Sequence, residues 1–335
     1  MRVVEWIVTP LEFTLPAISN QALEETTMPE RLPEGNGIAA DYPGDVGIEN
    51  DPAVVFADGF EEIEGNAMAA FGKDQKGNRW DTCANTVTIT TNPEHVHSGS
   101  KAAQVTFEKV GSHNAVKRFK PGFDTLFLRY YLKYHPEYPG CHHTGMLILA
   151  GAPGITLAKG SATGVVPDGR NHFEALVDTQ PPRKGSLTPP PGNVNIYCYH
   201  MDQARIWGDL FFPTGDVMPE ENKRLFAESF TTRPNVNVER GRWYCYELML
   251  KANTPGERDG RVALWIDGKL AGDFPNLRFR SVDELKPNHV IIVAHSSSVQ
   301  PNQTWWYDDI VAATAYIGPM RMPESAAAGK TQDQP

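Results

Sequence analysis

Gly241–Lys269, GRWYCYELMLKANTPGERDGRVALWIDGK, is the stretch that decides the fold. Tyr244, Tyr246, Leu248 and Leu250 alternate with Trp243, Cys245, Glu247, Met249 and Lys251. Val262, Leu264 and Ile266 then alternate with Ala263, Trp265 and Asp267. A period of two places successive side chains on opposite faces of a strand, so two antiparallel strands are predicted here. Asn253–Gly260 supplies the connection, and Asp267-Gly268 is a tight-turn dipeptide.

The same signal recurs on both sides. Strands are expected at Val54–Phe60, Thr86–Thr90, Lys101–Phe107, Ala115–Phe119, Leu126–Tyr134 and Met146–Ala150. Further ones fall at His172–Val177, Asn195–His200, Trp243–Lys251, Arg261–Ile266, His289–Ala294 and Trp305–Tyr316. Only Pro219–Phe230 reads as a helix. Many short strands without intervening helices predict an all-β fold, an antiparallel β-sandwich of the jelly-roll type. Pro 27 and Gly 29 suit the turns such a fold needs. Residues 1–50, rich in Pro, Glu, Asn and Gly, read as an extended N-terminal arm. Residues 51–320 form the jelly roll, and 321–335 a disordered tail.

Composition narrows the functions. With 40% hydrophobic and 21% charged residues, the 335-residue chain can bury a substantial core. A net charge of −10 with no basic run gives no support for nucleic-acid binding. No apolar run reaches the length of a membrane span. The opening MRVVEWIVTPLEF carries polar and acidic residues too early for a secretory leader. A secreted or periplasmic protein whose signal is missing is the expectation, and a cytoplasmic one the alternative. Cys83, Cys141, Cys198 and Cys245 lack metal-ribbon spacing; Cys198 and Cys245 read as free core thiols or as a disulfide.

Three strands carry chemistry on their second face. In Leu126–Tyr134 these are Phe127, Arg129, Tyr131 and Lys133; in NHFEALVD, His172, Glu174 and Leu176; in NIYCYHM, Asn195, Tyr197 and Tyr199. Such rows suit either an ordinary solvated face or a polar groove that takes sugars. His142 and His143 are adjacent, so in a strand they point apart and do not chelate one metal together.

Several segments resemble polysaccharide lyases with the concanavalin-A-like jelly roll, closest to family 14, the alginate and glucuronate-polymer lyases. They are LKANTPGERDGRVALWIDGK with the following LRFR, FLRYYLKYHPEYPGCHHTGMLILAG, and IYCYHMDQARIWGD. YDDIVAATAYIGP, shared with many lectin-like proteins, speaks for the fold alone. The resemblance implies β-elimination on a uronic-acid-containing polysaccharide. Tyr197 and Tyr199 match the paired tyrosines of the family's catalytic strand. His143 falls near the family's catalytic lysine, here replaced by the His-His pair. The implied roles are His143 as base, Tyr199 or Tyr197 as acid, and Arg129 or Lys133 as neutraliser of the uronate carboxylate. Tyr131, His142, His172, Glu174 and Asn195 would hold the sugar. The chemistry implies no cofactor. A structural calcium at Asp58, Glu61 and Asp308 and a merely solvated acidic cluster both remain open. A non-catalytic glycan-binding jelly roll is the alternative, followed by a glycosidase using Glu174 and Glu247.

Overall fold

The computed structural model describes residues 30–64, 71–72, 75–83, 86–112, 114–141, 143–154, 164–180, 188–222, 226 and 229–322. Backbone contacts divide the chain into residues 1–31 and residues 32–335. Only Glu30 and Arg31 of the first unit are described. All that follows concerns the second.

That unit is an all-β jelly roll of two packed antiparallel sheets. The strands are β1 (Val54–Asp58), β2 (Val87–Thr90), β3 (Ala102–Thr106), β4 (Gly111–Ser112), β5 (Ala115–Arg118) and β6 (Thr125–Tyr134). They continue with β7 (Met146–Gly151), β8 (His172–Gln180), β9 (Asn193–Tyr199), β10 (Asp209–Phe211), β11 (Val217–Met218) and β12 (Trp243–Lys251). The last are β13 (Gly260–Ile266), β14 (Lys269–Leu277), β15 (His289–Ile292), β16 (His295–Ser296) and β17 (Thr304–Ala313). The first sheet runs β14-β13-β12-β6-β17-β3-β2, with β1 also paired to β17; the second runs β11-β10-β9-β8-β7-β15-β5.

The alternation read from the sequence sets the core. Leu126, Leu128, Tyr130 and Leu132 of β6, with Tyr246, Leu248 and Leu250 of β12, face inward from the first sheet. Met146, Ile148 and Ala150 of β7, Phe173, Ala175 and Val177 of β8, and Ile196 and Cys198 of β9 meet them from the second. Fully burying a large apolar side chain stabilises by roughly 1.5–3 kcal/mol, and this layer is the fold's main source of stability.

The outer face of the first sheet is also covered. Residues 32–50 form three short 3-10 turns at Ile38–Asp41, Pro43–Asp45 and Ile48–Asn50. Ala39 and Ile48 pack there with Phe127, Met249, Trp265 and Val311. The Trp265 indole N–H donates to Pro33 O (2.7 Å), and the Arg129 guanidinium pairs with Asp45.

The sequence expectation lacked β14, whose Gly272, Asp273 and Pro275 break the alternation. As the terminal strand of its sheet it tolerates them, and its pairing to β13 shifts register twice. Within Pro219–Phe230 the described residues show a 3-10 turn, Glu220–Asn222, and a helical Phe226; residues 223–225 and 227–228 lie outside those described. All four cysteines are free thiols, three of them buried.

Candidate active site

The second sheet turns its other face to a cleft of about 980 Å³. Strand pairing arranges that face in rows. Ile291, Leu147, Leu176, Tyr197 and Leu210 lie side by side across β15, β7, β8, β9 and β10. The next row is His289, Leu149, Glu174 and Tyr199; Asp178 stands opposite Asn195 further along. Leu147, Leu149, Leu176, Ile291 and Val293 form an apolar bed against which Tyr197 packs. Glu174, Asp178, Tyr197 and Tyr199 are thus polar groups set beside a dry floor, where electrostatic effects exceed those in water.

His143 reaches this face from the loop before β7. Gly145 makes the approach possible, because a Cβ there would lie 1.9 Å from Val177 O. The loop is pinned from the core side: Thr144 Oγ1 shares a 2.8 Å hydrogen bond with the Tyr134 hydroxyl, and the Tyr307 hydroxyl donates to Gly145 O (3.1 Å). His143 itself has φ +67°, a left-handed conformation uncommon for a side-chain-bearing residue. Its backbone N–H donates to Asp178 Oδ1 (2.7 Å) and its ring Nδ1–H to Asp178 Oδ2 (2.9 Å). A carboxylate at Nδ1 fixes the tautomer and assigns proton exchange with a ligand to Nε2. Burial pulls the imidazolium down, but the Asp178 carboxylate outweighs it with help from Glu174, and the net shift is upward.

Tyr197 lies beside that imidazole, ring centroids 4.9 Å apart. Its hydroxyl shares a 3.1 Å hydrogen bond with the Tyr199 hydroxyl and accepts from the Gly208 N–H (3.2 Å). Gly208 has to be glycine, since a Cβ would lie 2.6 Å from Cys198 O. Burial raises both phenols above their ordinary range, so both carry their protons at neutral pH. Glu174 is also buried; Oε2 has no hydrogen-bond partner among the described residues. Burial pushes its carboxyl up to about 7, with the His143 charge opposing. At the rim stand Trp207, which is 49% exposed, and Arg205, paired with Glu221 at 2.8 Å. The His295 Nδ1 meets Ser112 Oγ at 2.7 Å, and its ring lies 5.5 Å from that of His143.

The structure therefore brings together His143, Tyr197, Tyr199 and Glu174. His172 and Asn195 share the face, both buried, though neither lines the cleft. Contrary to the sequence expectation, Arg129, Tyr131 and Lys133 do not join them: β6 belongs to the first sheet, and their row faces away from the core on its far side. Arg129 is fully buried against Asp45. The Tyr131 hydroxyl accepts from Met320 N–H (3.0 Å) and its ring stacks on His97 at 3.6 Å. Lys133 donates to Glu94 O and lies over the Trp243 and Trp306 rings. Glu247 is on the same sheet, accepting from the Ile317 and Gly318 N–H groups at 2.8 Å each, which removes it as a partner for Glu174. His142 lies outside the described residues.

The residues named for calcium have other partners. Asp58 accepts from the Trp80 indole (2.8 Å) and Phe60 N–H (2.8 Å); Glu61 accepts from Ser100 and Lys101; Asp308 accepts from His97, Ser98 and Asp309. Among the described residues no group of three or more His, Cys, Asp or Glu side chains is placed to hold a metal ion.

Asp178, Arg205, Trp207 and His295 were missed in the sequence. Asp178 lies four residues after Glu174 on the same alternating face, and that spacing was a usable signal.

No family model matches the chain, and no curated protein matches it in sequence. Solved structures resemble it in fold. An alginate lyase from a Chlorella virus shares 12% identity over 78% of this chain and 100% of that one, with a TM-score of 0.50. An alginate lyase of Aplysia kurodai shares 14% over 68% and 87% (TM-score 0.47). An endo-β-1,4-glucuronan lyase of Trichoderma reesei shares 17% over 71% and 92% (TM-score 0.43). At these identities the likeness concerns the jelly roll, and the reaction has to be argued from the site.

Proposed function

We propose that the protein is a polysaccharide lyase that cleaves a uronic-acid-containing glycan by β-elimination. The observation that carries this reading is the His143–Asp178 pair set against the Tyr197–Tyr199 pair in one cleft. It supports a division in which the tyrosines keep their protons and the imidazole, deprotonated above its raised value, is the base.

The reaction needs a base at C5 and an acid at the leaving oxygen. His143 Nε2 takes the proton from C5 of the uronate. The electron pair left behind forms the C4=C5 double bond as the C4–O4 bond breaks. A tyrosine O–H, from Tyr199 or from Tyr197 through their shared hydrogen bond, passes its proton to the leaving O4. The elevated phenols favour the acid role for the tyrosines and leave the base role to the imidazole. Positioned acid–base groups of this kind contribute roughly a hundred- to ten-thousand-fold in rate. Trp207 at the rim offers an aromatic face for a sugar ring.

A panel of alginate, glucuronan and other uronate polymers tests the proposal through the ultraviolet absorbance of the unsaturated product. Absorbance that appears with the wild type and vanishes in His143→Ala supports it. Binding without absorbance assigns the cleft to glycan recognition alone, and new reducing ends without absorbance assign it to hydrolysis.

A further inference from the structure

We propose that Glu174 is the residue that selects acidic sugars, meeting the carboxylate of a bound uronate as a neutral carboxylic acid that donates a hydrogen bond to it. This rests on the reading of the cleft as a uronate site and adds the group that reads the acid.

Two geometric observations lead to it. Glu174 lines the cleft with Oε2 buried and unpartnered among the described residues, a costly arrangement unless a ligand supplies the partner. It also sits in the row between Leu149 and Tyr199, one row from Tyr197, so a sugar offered to the tyrosine pair comes within the reach of its carboxyl.

The charges around it decide its state. On its own strand stand His172, two residues before, and Asp178, four after. β9 presents Tyr197 and Tyr199 beside it, with Cys198 in the core behind, and the loop before β7 presents His143. β15 contributes His289 at the end of the same row, itself depressed to about 4 by burial and Arg118, and so neutral. Among the described residues His143 is the cation source that acts on it, with the His295 ring 5.5 Å from that of His143, and Asp178 pairs with His143. Arg205 at the rim is held by Glu221. An ionised Glu174 would repel a uronate; a protonated one offers it an O–H donor, and burial favours that form.

The test is the proton linkage of binding. Isothermal titration in buffers of different ionisation enthalpy measures protons taken up when glucuronate and mannuronate oligomers bind. The same oligomers with carboxyls reduced to primary alcohols serve as neutral controls. With the wild type, uronate binding takes up one proton on the alkaline side of neutrality, and affinity falls by about tenfold per pH unit there. The reduced oligomers bind with no uptake. Glu174→Gln, which keeps an N–H donor and leaves His143 in place, binds uronates with no uptake and with less than about a twofold change in affinity across that range. Uptake that persists in Glu174→Gln overturns the proposal by assigning the proton to another group. Uronate binding without uptake, or no binding of any oligomer, overturns it as well. Product absorbance is followed in the same samples: linkage without absorbance keeps the Glu174 assignment and ends the lyase reading, and absorbance without linkage does the reverse.

Discussion

Asp178 holds His143 at two points, taking the backbone N–H on one carboxylate oxygen and the ring Nδ1–H on the other. One residue thus fixes both the left-handed backbone and the orientation of the imidazole. Asp178→Asn keeps the size but loses an acceptor and the charge that raises the His143 imidazolium. We expect kcat/KM on the cleaved glycan to fall by roughly a hundred- to ten-thousand-fold. The acid limb of its pH profile should move down, because the imidazolium then gives up its proton more readily. A profile whose acid limb stays in place would separate His143 from the base role.

Tyr199→Phe removes a phenol and Tyr197→Phe removes the acceptor of the Gly208 N–H. If a phenol protonates the leaving oxygen, the defect should depend on the leaving group. An oligouronate carrying an acidic aryl alcohol at O4 needs little protonation, so Tyr199→Phe or Tyr197→Phe should recover on it while His143→Ala does not. Equal recovery by all three variants would contradict the division into acid and base.

Trp207 is half exposed at the rim, and truncating it leaves little of the core disturbed. Trp207→Ala should raise KM by about tenfold, a loss of about 1.4 kcal/mol in binding. Its kcat and thermal midpoint should stay near wild type. A lowered kcat at unchanged KM would place the indole at the bond being broken instead of at a flanking sugar.

Glu174 and Glu247 are buried carboxyls, each raised to about 7 in the folded chain from the ordinary 4.5. Unfolding lowers both to the ordinary value, so between these limits the native state binds more protons. Stability therefore falls as pH rises from about 4.5 through about 7 and levels off above. At the alkaline end each group costs on the order of 3 kcal/mol. Denaturant unfolding of Glu174→Gln should show a flatter pH dependence and greater stability than wild type above neutrality, converging with it in acid. Parallel curves for the two proteins would contradict the elevated carboxyl.

Much of this architecture is legible in residue order. The inward rows of β6, β12, β7, β8 and β9 follow from period two, and so does the common face of Glu174, Tyr197 and Tyr199. Alternation separates two faces without saying what covers each one. Arg129, Tyr131 and Lys133 make the second face of β6 suit a polar groove or a solvated face, and it is neither. Phe127, Met249 and Trp265 on that same face of the sheet pointed to a covered surface, which the turns of residues 32–50 provide. Arg129 then needs a counter-charge in a dry place, and Asp45 is 84 positions away in the chain. The grip of Asp178 on His143 was equally out of reach, because it depends on a left-handed residue in a loop whose path is set by contacts with Tyr134 and Tyr307.

The turns over the first sheet also bear on how the protein can be cut for expression. Asp51 looks like a natural starting point, since regular strand structure begins just after it. Truncation there would strip the counter-ion from a fully buried guanidinium and the carbonyl acceptor from the Trp265 indole. An uncompensated buried charge destabilises by several kcal/mol. A shortened version should therefore begin before Leu32, or exchange Arg129 for an apolar residue of similar bulk.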